Sequence, residues 1–143
     1  MRNTNYTNGN IMSGSANKIP DSRVTSTIEP EEAVMFAAHA ASDKKATDLV
    51  LLDLRAVASF TDFFLICTGA SARQVQAISN AIEETLRINS KRPLHIEGYS
   101  SGEWILLDYG DFIVHVFSQA SRRFYDLERL WRDAPRIEVK SDT

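Results

Sequence analysis

The chain has 143 residues, of which 43% are hydrophobic and 24% are charged, and this length supports one domain whose core needs neither disulfides nor metals. Its formal net charge of −3 has the wrong sign for a protein that binds nucleic acid mainly through phosphates. We therefore predict no direct sequence-specific nucleic-acid binding and favour a basic protein as partner. No apolar run approaches the roughly twenty residues of a membrane span, which predicts a soluble protein without a membrane partner.

The chain begins with a segment that differs in composition from the rest. Residues 1–28 are rich in Asn, Ser and Thr with few large apolar groups, so we predict a flexible polar tail. This tail lacks the apolar core of a secretory signal and the Arg-rich amphipathic pattern of a transit peptide, which favours a bacterial cytoplasm. We place a folded domain at residues 29–134, and a C-terminal tail at residues 135–143 because Pro135 ends the last helix.

The first predicted helix starts near Pro30, where proline and acidic residues occupy a first turn and suit the helix dipole. Its buried stripe follows helical spacing and comprises Val34, Ala37, Ala38 and Ala41. Two apolar runs come next, at residues 48–54 and 63–68, and each has the pattern of a strand covered on both faces. The second run contains Cys67, the single cysteine, so we expect a packed thiol.

Ser71 is placed to cap a second helix that runs to about Asn89. One face of this helix is apolar and carries Val75, Ile78, Ile82 and Leu86. A short strand at residues 94–97 follows the proline that breaks the helix. After the hairpin described next, a single closing helix is predicted from Ala120 to Arg132, with Phe124, Leu127 and Trp131 at core spacing.

A β-hairpin is predicted where two apolar runs, Trp104 to Leu107 and Phe112 to Phe117, flank a Gly-bearing polar turn. With a loop of two or four residues, even positions of the first strand share a face with odd positions of the second; a three-residue loop would reverse this. One face is then wholly apolar and forms core: Ile105, Leu107, Phe112, Val114 and Val116. The other is mixed: Trp104, Leu106, Asp108, Asp111, Ile113, His115 and Phe117.

The mixed hairpin face admits two interpretations from the residues alone. Exposed aromatic clusters suit an interface, whereas a covering helix would make His115 a satisfied core imidazole. Tyr125 lies beside the core stripe of the closing helix, which leaves its hydroxyl free to reach a partner. The element order α-β-β-α-β-β-β-α predicts an α/β single domain with a mixed five-stranded sheet and flanking helices.

Catalytic interpretations are weaker. The turn from Thr68 to Ser71 joins a strand to a helix and suits a phosphate, but it lacks the P-loop and dinucleotide patterns. Acids at strand ends suggest a magnesium site without supplying a paired-acid motif; they are Asp48, Asp53, Asp62, Asp108 and Asp111. We therefore predict no cofactor and no metal, and keep as the alternative a nucleotide-binding or nucleotidyl-transferring enzyme.

Four stretches of the chain, in this order and spacing, carry a family resemblance: TDFFLICTGAS, HIEG, WILLDYGDFIVHVF and SRRFYDLERLW. Together they resemble the Iojap family, the ribosomal silencing factors, over about residues 31–132. The resemblance implies an α/β fold related to nucleotidyltransferases but without the activity, and hence a protein that is not an enzyme. It also implies binding to the fourteenth protein of the large ribosomal subunit, which blocks joining of the small subunit and lowers translation when nutrients are scarce.

On this resemblance we predict which residues bind the partner. Trp104 is the aromatic anchor, and Asp108 and Glu97 meet basic side chains. The anchor is surrounded by Leu106, His115, Phe117 and Tyr125. The same hairpin face also offers a surface on which a homodimer could form. The arginines Arg122 and Arg123 are expected to hold the last helix in place rather than to contact the partner.

Overall fold

The protein's structure, a computed structural model, describes residues 28–139, so the predicted N-terminal tail falls almost entirely outside the described residues. Helix α1 (Pro30–Asp43) has proline at its start and Glu31 and Glu32 in its first turn, as predicted. Its buried face consists of Ala33, Val34, Ala37, Ala38, Ala40 and Ala41. Small side chains on this face let the helix backbone approach its neighbours closely.

Strands β1 (Thr47–Asp53) and β2 (Phe63–Gly69) pair antiparallel. Every residue of β2 is buried, which confirms a strand covered on both faces. The same prediction is wrong for the start of β1, because Thr47 and Asp48 are exposed beside a register shift between β1 and β2. Cys67 is fully buried, and burial raises the pKa of its thiol to about 12. The packed thiol is thereby confirmed, and it stays protonated.

Helix α2 (Ala72–Ile88) matches its sequence prediction at both ends. The Ser71 hydroxyl oxygen accepts a hydrogen bond from the Gln74 backbone N–H at 3.1 Å, which satisfies one of the free amides of the first turn. The predicted apolar stripe is buried, and α2 packs with α1 against one face of the sheet. That side of the sheet holds the larger core cluster.

The remaining main strands are β3 (His95–Glu97), β4 (Trp104–Asp108) and β5 (Phe112–Ser118). Strands β4 and β5 form the predicted hairpin, with Trp104 opposite Phe117 and Ile105 opposite Val116. The pairing continues to Tyr109, whose N–H donates to the Phe112 carbonyl oxygen at 3.0 Å, so the loop has two residues. This register confirms the predicted division of side chains between the two faces. Strand β5 also runs parallel to β2 along the whole of that strand, so both lie in the middle of the sheet.

The closing helix is not continuous, and the prediction of one helix is wrong. The structure has α3 (Gln119–Tyr125) and α4 (Leu127–Leu130), separated by Asp126 in the left-handed conformation with φ 49° and ψ 54°. This break turns Phe124 outward, so that it is 79% exposed instead of packed in the core. Leu127 and Trp131 do pack against the second core cluster, as their spacing predicted.

The predicted C-terminal tail contains a strand that the sequence analysis missed. Strand β6 (Arg136–Ile137) pairs antiparallel with β1, placing Ile137 opposite Leu51. The described sheet therefore has six strands in the order β3-β4-β5-β2-β1-β6 rather than the five predicted. Within residues 28–139, none of the helices combines the length and apolar character of a membrane span.

Candidate functional site

The candidate site lies on the sheet face opposite α1 and α2. Strands β4 and β5 place Trp104, Leu106 and Asp108 on this face beside Ile113, His115 and Phe117. The short helices α3 and α4, the segment after them and the β1–β2 connection with Leu54, Ala58 and Phe60 approach it, and the core cluster on this side is smaller than the one beneath the long helices. A face with so little cover leaves part of its apolar surface accessible.

Trp104 is the centre of an aromatic cluster that we define as Phe64, Trp104, His115, Phe117 and Tyr125. The Trp104 ring stacks on Phe117 from the neighbouring strand, with 4.9 Å between centroids and 29° between planes. Tyr125, at the end of α3, contacts the same indole with 4.5 Å between centroids. Trp104 is thus half-buried, held by rings from a strand and from a helix. Such an aromatic is a suitable interface anchor because little conformational freedom remains to be lost.

His115 and Phe117 were predicted to contact a partner, and their burial contradicts direct contact. Their side chains are 4% and 1% exposed. His115 is covered by two rings. The centroid of the Phe64 ring lies 4.5 Å from the centroid of the imidazole, and that of the Trp104 ring lies 5.9 Å from it. The alternative interpretation is therefore correct in placing the imidazole in the core, but wrong in expecting it to be fully hydrogen-bonded, because its Nε2 has no partner among the described residues. These two residues support the anchor from within the protein.

The charge state of His115 follows from its surroundings. Burial lowers the pKa of its imidazole to about 3, so the ring is neutral at physiological pH. Its Nδ1 accepts a hydrogen bond from the Trp104 indole Nε1–H at 3.1 Å. Its Nε2 is buried and has no hydrogen-bond partner among residues 28–139.

Tyr125 is the most accessible of the predicted partner-binding aromatics. It is 48% exposed, and its neighbour Phe124 meets it edge to face with 5.0 Å between ring centroids. Sequence reasoning missed Phe124 because helical spacing assigned it to the core. The signal that would have identified it is the helix break at Asp126, which no periodicity reveals. Phe124 thus adds to the site an exposed ring that the sequence analysis had assigned to the core.

An acidic rim borders the aromatic cluster at the sheet edge. Strand pairing places Glu97 opposite Leu106 and His95 opposite Asp108, so the predicted residues of β3 and β4 do come together. Glu97 is exposed and contacts the imidazole of His95, with 2.6 Å between Oε2 and Nε2. Asp108 is half-buried and accepts a hydrogen bond from the Gly110 N–H at 2.8 Å. This second contact stabilises the hairpin turn while leaving a carboxylate at the rim.

Arg122 attaches the short helices to the sheet. It donates hydrogen bonds to the Thr68 hydroxyl at 2.9 Å and to a Glu128 carboxylate oxygen at 2.7 Å. Burial raises the pKa of the Glu128 carboxyl, but the hydrogen bond and the charge of Arg122, a backbone hydrogen bond and the charge of Arg136 together lower it overall. The prediction that an arginine holds the last helix is confirmed for Arg122; Arg123 is exposed. Tyr125, only three positions away, is thereby held over Trp104.

The turn and most of the acidic residues that suggested a nucleotide site lie apart from one another in the structure. Thr68, the first residue of the predicted turn, borders an open cavity of about 440 Å³. The other polar residues that line the cavity are Asp48, Gln119, Arg122, Arg123, Glu128 and Arg136. Of the five predicted acids only Asp48 lines this cavity, while Asp53 pairs with Arg55 at 2.8 Å. In the described part of the chain, no group of three or more His, Cys, Asp or Glu residues could hold a metal ion. The acids are dispersed, so they do not form one site.

Comparison with known proteins identifies the family. The family model described as "Ribosomal silencing factor during starvation" matches residues 27–143. The chain belongs to this family. Among its relatives, the ribosomal silencing factor RsfS of Halalkalibacterium halodurans is 40% identical over 110 residues, covering 77% of this chain and 94% of the relative. That of Bacillus subtilis is 43% identical over 104 residues, covering 73% of this chain and 88% of the relative.

Solved structures of silencing-factor relatives have the same fold. A crystal structure of a protein from Chromobacterium violaceum superposes with a TM-score of 0.72 at 37% identity, covering 73% of this chain and 88% of that chain. The mixed α/β single domain is therefore confirmed. The implied relationship to nucleotidyltransferases stays a prediction.

We expect Arg122→Met to lower the free energy of unfolding by about 1–3 kcal/mol, because the partly buried Glu128 carboxylate and the Thr68 hydroxyl lose their Arg122 partner. Urea unfolding measures this change. The exposed Arg123→Met is the matched control and should change stability by less than about 0.5 kcal/mol. Adding Glu128→Met to Arg122→Met should restore part of the loss, since no unpaired carboxylate remains. Equal effects of the two arginine variants would contradict the attachment role.

His115 should make folding sensitive to acid. The pKa of His115 is about 3 in the folded protein and 6.5 for an ordinary histidine. Between these pH values the unfolded chain binds a proton at His115 and the folded chain does not. Stability should therefore fall from about pH 6 to pH 4, by up to about 1.4 kcal/mol per pH unit more in the wild type than in His115→Leu. Urea unfolding at several pH values gives both slopes. Parallel slopes would show that His115 does not titrate on unfolding.

Proposed function

We propose that this protein is a non-catalytic translational repressor of the bacterial cytoplasm. It binds the large ribosomal subunit through the fourteenth protein of that subunit and, once bound, blocks joining of the small subunit when nutrients are scarce. Membership of the ribosomal silencing factor family supports this proposal. So does the character of the candidate site, which has the chemistry of a protein interface rather than of a reaction centre.

The observation that carries the proposal is the half-buried Trp104 between accessible aromatics and an acidic rim. An aromatic side chain that is fixed by its neighbours and surrounded by apolar groups is the usual centre of a protein interface. Charged groups at the rim of the interface set the orientation of the partner and the rate of encounter. Trp104, Leu106 and Tyr125 form the central contact of the proposed surface. Glu97 and Asp108 form the rim, and an acidic chain with net charge −3 is attracted to a basic ribosomal protein.

Blocking needs no chemistry beyond binding. A folded body of about this length has a radius of gyration of roughly 13 Å, so it is about 30 Å across. Contacts between ribosomal subunits, like other specific interfaces, require surfaces to meet without such a gap. A domain of this size docked on the joining surface would therefore separate the two subunits sterically.

Trp104→Ala should weaken binding to isolated large subunits by about 2 kcal/mol or more, which is roughly thirtyfold, because it removes the central anchor. Co-sedimentation with the purified subunits measures the affinity. Trp131→Ala is the control: it deletes a second half-buried indole on the same sheet face, whose ring contacts are with Phe60 and Phe64 and which lies outside the proposed central contact of Trp104, Leu106 and Tyr125. At a temperature where circular dichroism shows both variants folded, only Trp104→Ala should lose binding.

The same samples test the blocking step. Small subunits are added, and formation of joined ribosomes is followed by sucrose-gradient sedimentation. Wild type and Trp131→Ala should prevent joining, whereas Trp104→Ala should not at equal concentration. Absence of wild-type co-sedimentation would refute the proposed partner. If the wild type instead sedimented alone as a dimer and Trp104→Ala as a monomer, the face would serve self-association.

The acidic rim should act mainly on the association rate. We expect Glu97→Gln combined with Asp108→Asn to slow association with large subunits several-fold at low salt and to match wild type at high salt, because salt screens exposed charges. Glu84→Gln removes a carboxylate from α2, which covers the opposite sheet face, and should leave the rate unchanged. Stopped-flow fluorescence measures these rates. Equal slowing by both sets of substitutions would indicate a general charge effect only.

A further inference from the structure

The aromatic contacts of Trp104 fix the plane of the indole ring. They do not fix which edge of the ring, the one carrying Nε1–H or the opposite one, points into the protein. Phe117 stacks on the indole at 29° between planes, and Tyr125 contacts it with 4.5 Å between centroids. Turning the indole over within such a stack would preserve most of the overlap, since ring contacts of this kind depend mainly on plane and offset. Another interaction must decide which edge faces the sheet and which edge faces outward.

That interaction is the hydrogen bond to His115. The indole Nε1–H donates to Nδ1 of the imidazole at 3.1 Å, so Nδ1 carries a lone pair and the proton of the neutral ring is on Nε2. The imidazole is 4% exposed, and Nε2 has no hydrogen-bond partner among the described residues. A buried polar atom without a partner is unfavourable for folding. A leucine at this apolar strand position would avoid that penalty, so stability alone does not account for the imidazole.

We propose that His115 is a positioning residue that makes the anchor recognise an apolar partner surface. By accepting the only N–H of the indole from inside the protein, His115 leaves the accessible part of Trp104 with carbon and hydrogen atoms alone. The partner then needs an apolar recess for Trp104 and no hydrogen-bond acceptor. This inference rests on the proposed function, in which Trp104 is the anchor, and it adds the chemistry that the anchor selects.

Removing the acceptor has a specific consequence for binding. In the free His115→Leu protein, the indole N–H of Trp104 has no acceptor within the fold. The indole can then rotate by half a turn between Phe117 and Tyr125. An apolar recess would then cover an unsatisfied donor, which weakens binding by roughly tenfold or more. His115→Asn is the matched variant, because asparagine and leucine are similar in size and shape and the amide oxygen of asparagine can accept near the position of Nδ1.

The first measurement is made on the free protein by nuclear magnetic resonance. In the wild type, the long-range ¹H–¹⁵N spectrum should show His115 with Nδ1 unprotonated and Nε2 protonated. The Trp104 indole proton should exchange with water at least tenfold more slowly than in His115→Leu, and His115→Asn should restore part of this protection. The indole of Trp131, present in the same spectra, is the internal reference. A wild-type imidazole protonated at Nδ1 would overturn the proposal without any variant having to fold.

The second measurement is the affinity for isolated large subunits. His115→Leu should lose at least about tenfold more affinity than His115→Asn. Equal losses in the two variants, or unchanged Trp104 protection in His115→Leu, would contradict the positioning role. If the wild type did not bind large subunits, the proposed function would fail by itself, while the spectra of the free protein would still decide whether His115 holds the indole edge.

Discussion

The parallel pairing of β2 with β5 is the constraint on which the rest of the structure depends. It runs from Phe63 opposite Phe112 to Gly69 opposite Ser118, and it places two largely buried strands in the centre of the sheet. A parallel pair needs a long crossover, which here contains α2 and the strands β3 and β4. Because side chains alternate along each strand, the register of this one pair decides which face every neighbouring residue occupies.

The two sheet faces that result are covered very unequally. Helices α1 and α2 bury one face with a continuous set of small and branched apolar side chains. The other face is covered in part by the two short helices α3 and α4, and no described residue of either helix is buried. Hydrogen bonds from Arg122 tie those helices to β2, and the apolar contacts of Leu127 and Tyr125 beside them are fewer than those on the opposite side. Such an arrangement keeps Tyr125 in place without hiding it, which suits a face used for binding.

Sequence patterns predicted the elements whose stability is local, and missed those that depend on distant contacts. The α2 helix follows from its cap and apolar stripe, and the hairpin follows from its turn residues. The register of the hairpin depended on a loop length that the sequence left open and that the structure fixes at two residues. In contrast, β6 is a two-residue strand formed only because β1 lies beside it, and the helix break at Asp126 has no glycine to mark it. The burial of His115 likewise depends on Phe64, which is remote in sequence. The alternation of side chains along the strand therefore predicted the sheet face of His115 correctly but did not predict that this side chain is buried.

Three side chains of types that often carry catalysis have structural roles among the described residues: Cys67, His115 and Arg122. Burial keeps the Cys67 thiol protonated and the His115 imidazole neutral, which removes a nucleophile and a proton carrier at physiological pH. Arg122 engages Thr68 and Glu128 beside the open cavity, so its charge is neutralised within the fold instead of being presented to a phosphate. Each of these side chains therefore stabilises the fold that carries the aromatic cluster. The aromatic cluster therefore agrees with a protein that acts by occupying a place on the ribosome, where shape and contact chemistry decide the outcome.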